Sequence, residues 1–226
     1  MGRIAGMKRA AGDGVGRAVW RWLCGWALAL DATAAPVRIT VNDVQGKPLA
    51  DAVVALEPRA GAAAVKPQPN ARIVQRNRRF EPVVTVVPVG TKVDFPNEDS
   101  VRHHVYSFSE AKRFELKLYD RKPEAPITFD RPGLVVLGCN IHDNMAAWIY
   151  VAETPWFGKT PAGGQASLPD VPPGAYRLRV WHPSMPPGAA GETQDVNVEA
   201  AGLNLTVGLK VRPFKPAEPD PNANYK

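Results

Sequence analysis

The sequence predicts an all-β fold, and three observations carry that expectation. Prolines number 23 and glycines 19 among 226 residues, which interrupts the chain too often for long helices. Between the interruptions apolar residues alternate over short runs, the period of a half-buried strand. Apolar residues make up 45% of the chain, enough for a packed core and too many for wholesale disorder. Short strands joined by frequent turns are what a β-sandwich requires.

The chain begins with a stretch that is not part of that sandwich. Arg3, Lys8, Arg9 and Arg17 form a basic leader, Trp22–Leu30 is a short apolar run, and Ala32-Thr33-Ala34 suits cleavage. Residues 1–34 are therefore expected to be an export signal. Removing them takes five of the 28 Lys and Arg and two of the 22 Asp and Glu, leaving a net charge of +3. That balance gives no argument for nucleic acid. Removal also takes Cys24, so Cys139 stands alone, and in an oxidising compartment it has no internal partner. No uncharged apolar run reaches 18 residues, so no integral membrane span is expected.

The strands can be placed in order. Val37 to Pro58 reads as two alternating strands around a turn at Val44-Gln45-Gly46-Lys47-Pro48. Residues 59–70 are small and polar, a connector, and Arg72, Arg76, Arg78 and Arg79 after it read as a solvated face. The β-branched run Val83 to Val89 breaks at Gly90 and resumes at Val93-Asp94-Phe95. Asn97-Glu98-Asp99-Ser100 is a loop delivering His103 to a strand start. Residues 109–128 are polar and read as a helical turn or a covering loop. Residues 129–137 form a strand running into Cys139, and Ala146–Val151 closes it. Further strands fall in 166–183, in QDVNVEA and in LNLTVGLKV. The segment after Arg212 is proline-rich and weakly hydrophobic.

The chemistry concentrates between two of these strands. Cys139, His142 and Met145 stand at C-x2-H-x2-M spacing, with Arg102-His103-His104-Val105 upstream supplying a second imidazole. Two imidazoles, one thiolate and a weak thioether are the donors of a mononuclear blue-copper site. Trigonal nitrogen and sulfur donors suit both Cu(I) and Cu(II), so little moves on electron transfer. Structural zinc would want more Cys or His, and hydrolytic zinc three non-thioether ligands and a water. Cys139 lacks the adjacent base of a nucleophile. His103 and His104 alternate along a strand, so only one of them can face the metal. His182, in Trp181-His182-Pro183, reads as structural or surface-exposed.

From Phe80 to Val151 the chain resembles the cupredoxins of the plastocyanin and amicyanin type, especially the plastocyanin-like proteins labelled for methylamine utilisation. The resemblance rests on Phe95-Pro96-Asn97 ahead of His103, on Pro132-Gly133 ahead of Cys139, and on the short Cys139–Met145 loop. It implies a Greek-key β-sandwich binding one type 1 copper ion, with His103, Cys139, His142 and axial Met145 as ligands. Val135 and Leu137 stand where aromatics are common, and His104 where an Asn usually ties the two ligand loops. The flanks, VNDVQGKPLADAVVALEP and TPAGGQASLPDVPPGAYRLRVWHP, resemble two parts of a carboxypeptidase-regulatory-like, transthyretin-like module. The implied organisation is a cupredoxin-like domain over 70–152 inserted in, or flanked by, an Ig-like sandwich over 36–66 and 153–212. Residues 213–226 form a proline-rich tail.

These readings converge on a periplasmic or secreted electron carrier, not an enzyme. Its partners would be redox proteins of cytochrome or dehydrogenase type, with electrons leaving by the His142 edge. Lys112, Arg113, Lys117, Arg121 and Lys122 would steer an acidic partner. Two alternatives are a periplasmic copper carrier without electron transfer, and a cell-envelope interaction module with a vestigial site.

Overall fold

Alternation shapes the first strand. In β1 (Ala35–Asp43) Val37, Ile39 and Val41 are fully buried while Pro36 and Arg38 are exposed, so one face meets a core and the other water. The computed structural model describes residues 35–123, 125–212 and 214. The expected export signal over 1–34 lies outside the described residues, as does the proline-rich tail apart from Phe214.

After β1 come β2 (Val53–Pro58), β3 (Ala71–Arg72), β4 (Val74–Arg76), β5 (Arg79–Glu81) and β6 (Val84–Pro88). They are followed by β7 (Thr91–Asp94), β8 (His103–Ser109), β9 (Lys112–Tyr119), β10 (Ile127–Phe129) and β11 (Gly133–Gly138). Then come β12 (Ala146–Ala152), β13 (Phe157–Lys159), β14 (Gln165–Val171), β15 (Gly174–Trp181), β16 (Glu192–Val198) and β17 (Leu203–Leu209). No helix occurs among the described residues, and the fold is all-β as predicted.

Two sheets are built from the ends of the described chain. One has the order β14-β1-β17 and the other β13-β2-β15-β16. Val37 lies beside Leu203 in parallel register, and Leu56 lies opposite Leu178 in antiparallel register. Their inner faces bury Val37, Ile39, Val54, Leu56, Leu168 and Leu178 in one core.

The intervening strands make a second set. A five-stranded sheet, β6-β12-β11-β8-β9, accompanies a three-stranded sheet, β10-β7-β3, and the β4–β5 hairpin. Phe80, Phe95, Phe129, Leu137 and Ile149 fill their core, and Cys139 and Met145 belong to the same cluster. A smaller apolar cluster joins the two sets. In it Val53, Ala55 and Trp181 pack with Val84, Tyr150 and Ala152.

The polar stretch over 109–128 departs from expectation. Instead of a helical turn or loop, its residues 112–119 form the edge strand β9, paired with β8 from Ser109 opposite Lys112 to His103 opposite Tyr119. Phe114 and Leu116 turn inward from it while Arg113, Glu115 and Lys117 stay exposed, and one-sided edge burial of that kind gives little apolar signal in sequence. The register slips between His103 and Val105, an irregularity at the strand end that carries the predicted ligand.

Candidate metal centre

Strand geometry decides between the two adjacent histidines. His103, Val105 and Ser107 point inward from β8 and are buried. His104, Tyr106 and Phe108 take the outer face, with ring centroids 5.7 Å and 5.1 Å apart along the strand. His104 Nε2 lies 3.1 Å from Glu115 Oε1, near it but not aligned as a hydrogen bond. The side chain of His104 is thus directed away from the thiol, and His103 faces it.

Cys139 follows directly on β11, whose last residue is Gly138. A Cβ at Gly138 would lie 2.7 Å from the Tyr106 ring, so the lack of a side chain there lets Tyr106 lie over the backbone next to the cysteine. The chain then turns, with the Met145 N–H donating to the His142 carbonyl oxygen at 3.0 Å, and re-enters the sheet as β12. That turn returns His142 to the cysteine: His142 Nδ1 is 3.8 Å from Cys139 Sγ. His103 Nδ1 is 3.9 Å from the same sulfur, and the two imidazole centroids are 5.1 Å apart.

His103, Cys139 and His142 form a cluster with one donor atom each, all within 4.8 Å of one another. The separations suit a single metal ion. Bonds of about 2.0 Å to nitrogen and about 2.3 Å to sulfur meeting at the roughly 120° of a trigonal plane span about 3.7 Å, close to the 3.8 Å and 3.9 Å found here. Met145 is buried, 1% exposed, and lines the same cavity of about 590 Å³ as Cys139, together with Tyr106, Phe108, Gly138 and Asp143. His103, Cys139 and His142 therefore come together at this end of the second core, and Met145 lines the cavity beside Cys139.

The electrostatics are arranged around the sulfur. Burial alone would raise the Cys139 pKa, but the His103 imidazole and the backbone N–H groups of Ile141 and His104 hydrogen-bond to it and lower it. Burial likewise opposes a proton on His103, yet contacts with Cys139 and Asp99 prevail and raise its pKa. The sequence places His104 where an Asn side chain would tie the two ligand loops, and here the His104 backbone N–H hydrogen-bonds to Cys139.

Asp99 is the residue that sequence reasoning passed over. Its Oδ2 lies 2.7 Å from His103 Nε2. Burial would raise its pKa, but the Arg78 N–H, the His103 ring and the Asn77 N–H hold it below the usual carboxylate value. Its position four residues before His103 was the only signal, and in a loop that spacing has no fixed geometry. Of the cations expected to steer a partner, Lys112 is engaged with Asp130 at 2.8 Å, while Arg113, Lys117, Arg121 and Lys122 are exposed. In the arginine group Arg72 and Arg76 are exposed and Arg78 and Arg79 half-buried, and the ion-paired contacts of Arg76 lie on the surface. Arg76 pairs with Glu81 at 3.1 Å and Glu98 at 2.5 Å.

No protein-family model matches the chain, and no curated protein matches it. Among solved structures, a purple cupredoxin from Nitrosopumilus maritimus is similar at 23% identity over 37% of this chain and 100% of that one, with a TM-score of 0.33. A copper-containing nitrite reductase from Thermus scotoductus is similar at 31% identity over 43% of this chain, with a TM-score of 0.36. The match spans 25% of the reductase. An amicyanin variant in its Cu(I) form is similar at 18% identity over 44% of this chain and 98% of that one, with a TM-score of 0.34.

Proposed function

We propose that this protein binds one copper ion through His103, Cys139, His142 and axial Met145 and carries single electrons. The observation that supports this most is the pair of imidazole Nδ1 atoms at 3.8 Å and 3.9 Å from one buried thiol. Bound copper would supply a one-electron couple between Cu(I) and Cu(II), and two imidazoles, one thiolate and a weak thioether serve both states.

The chain's own residues have distinct parts in this reading. Cys139, shifted toward thiolate by His103 and two backbone N–H groups, is ready to ligate. Met145, in the core, offers a donor that is neither charged nor strongly bound. Ile141, 47% exposed between Cys139 and His142, gives an apolar contact where a redox partner of cytochrome or dehydrogenase type would meet the His142 side. Such a partner fits a periplasmic or secreted setting, with the export signal over 1–34 removed. We further read residues 70–152 as a cupredoxin-like domain inserted in an Ig-like sandwich made from 36–66 and 153–212. The pairing of β1 and β2 with strands after β12 supports that reading.

A second reading, a copper carrier that exchanges its metal, is favoured by the cavity opening onto Cys139 and Met145. A Cu(II) titration of the protein, followed by visible absorption and EPR, separates the two. The electron carrier gives one equivalent bound, an intense thiolate-to-copper band and narrow copper hyperfine splitting. A colourless Cu(I) form that resists oxidation identifies the carrier. Absence of stoichiometric binding defeats both.

A further inference from the structure

A buried histidine presented to a metal has two ring orientations and two neutral tautomers, and only one combination offers the Nδ1 lone pair. His103 is fully buried, so water cannot make the choice. The chain supplies a carboxylate at the other nitrogen: Asp99 Oδ2 lies 2.7 Å from His103 Nε2. A carboxylate accepts and does not donate, so Nε2 carries a proton, and in the neutral ring Nδ1 is left with its lone pair facing Cys139 at 3.9 Å.

The carboxylate is itself held. Its Oδ1 accepts the Asn77 N–H at 2.6 Å and its Oδ2 the Arg78 N–H at 2.9 Å. Asn77 and Arg78, at φ of 53° and 55°, form the turn of the β4–β5 hairpin, which aims both N–H groups at Asp99. From the other side Asn97 Oδ1 accepts the Asp99 N–H at 2.9 Å, and Asn97 Nδ2 donates to the Val101 carbonyl at 2.8 Å. Asp99 is fixed by a hairpin that provides no ligand, and it passes that rigidity to one that does.

We propose that Asp99 is the positioning residue of the centre: it ties the β4–β5 hairpin to His103, holds Nδ1 toward the metal, and places a negative charge one ring away. The proposal rests on the copper reading for its second consequence only. Orientation of the ring governs metal affinity, and outer partners of this kind typically change it 10- to 100-fold. The charge favours Cu(II) over Cu(I) and so lowers the potential.

Asp99→Leu and Asp99→Asn test it. In the metal-free protein, at a pH where the ring is neutral, ¹⁵N shifts of His103 should show a single Nε2–H tautomer. Asp99→Leu should convert it to a mixture, while Asp99→Asn, whose amide oxygen still accepts, should keep it. After copper loading, Asp99→Leu should bind Cu(II) about 10- to 100-fold more weakly. Asp99→Asn should raise the potential, by about 59 mV for each tenfold loss in preference for Cu(II). An unchanged tautomer in a folded Asp99→Leu overturns the proposal whether or not copper binds. An unchanged potential in Asp99→Asn overturns its electrostatic half. Failure of the wild-type protein to take copper defeats the parent reading and leaves the tautomer measurement to decide this one.

Discussion

His103 and His182 are both fully buried, one in each set of sheets, yet they are built for opposite charge states. His182 Nε2–H donates to the Ala50 carbonyl at 3.1 Å, and its Nδ1 accepts the Ser184 N–H at 3.1 Å. Both partners are neutral backbone groups, and burial lowers its pKa against weaker opposing effects of Ala50 and Asp51. His103 sits between a carboxylate and a thiol and its pKa is raised despite burial. Equal burial therefore says nothing about role; the partners do. The ring in the flanking sheets is a neutral bracket for two backbone segments, and the ring in the five-stranded sheet is surrounded by groups that favour positive charge, the condition a metal ion requires.

The largest effects should come from breaking each region at its centre. Cys139→Ser should abolish the intense visible band of the copper-loaded protein while the far-UV circular dichroism of the β-fold persists. His182→Ala should do the reverse. It leaves a void and two unpaired backbone groups, costing about 2–4 kcal/mol in denaturant unfolding, with the copper spectrum of the folded protein unchanged. A coloured Cys139→Ser protein would remove the thiolate from the ligand set. A bleached but folded His182→Ala protein would mean the two regions are not separable.

A smaller effect is expected at Met145. Leu is close in volume, so Met145→Leu should cost less than about 1.5 kcal/mol of stability and retain copper. Loss of the axial thioether should raise the potential, and voltammetry that finds it unchanged or lower would show that Met145 is core and not ligand.

The subtlest test is the titration of the two rings in the metal-free protein by NMR. His182 should titrate below 6.5 and His103 above it. The signs for stability follow. With His182 depressed, the unfolded chain takes up the proton first, so its contribution is present above 6.5 and is lost as pH falls through the folded value. With His103 raised, its contribution is full below 6.5 and is lost as pH rises through the folded value. Titration in the opposite order would erase the distinction drawn between them.

Much of this was legible in the chain because the signals are local. Alternation or a short apolar, β-branched run marks β1, β2, β6, β12 and β15 to within a few residues, and C-x2-H-x2-M places Cys139, His142 and Met145 within one turn between two strands. Local spacing stops being informative where the partner is distant in sequence. The polar edge strand β9 was read as a helical turn or loop, because its strand character comes from pairing with β8. His182 was read as structural or exposed, and it is buried with its ring bonded to the carbonyl of Ala50, 132 residues away in the turn before β2.

By itself the sequence determined the donor types, their short spacing and the β period, since these are properties of neighbouring residues. Only the tertiary structure decided that His103 and not His104 faces the thiol, that both imidazoles present Nδ1, and that Asp99 holds one of them. Each of those outcomes depends on which face of a strand is buried and on which loops meet across it, and a ring orientation is set by hydrogen bonds from segments that approach one another only after the sheets have packed.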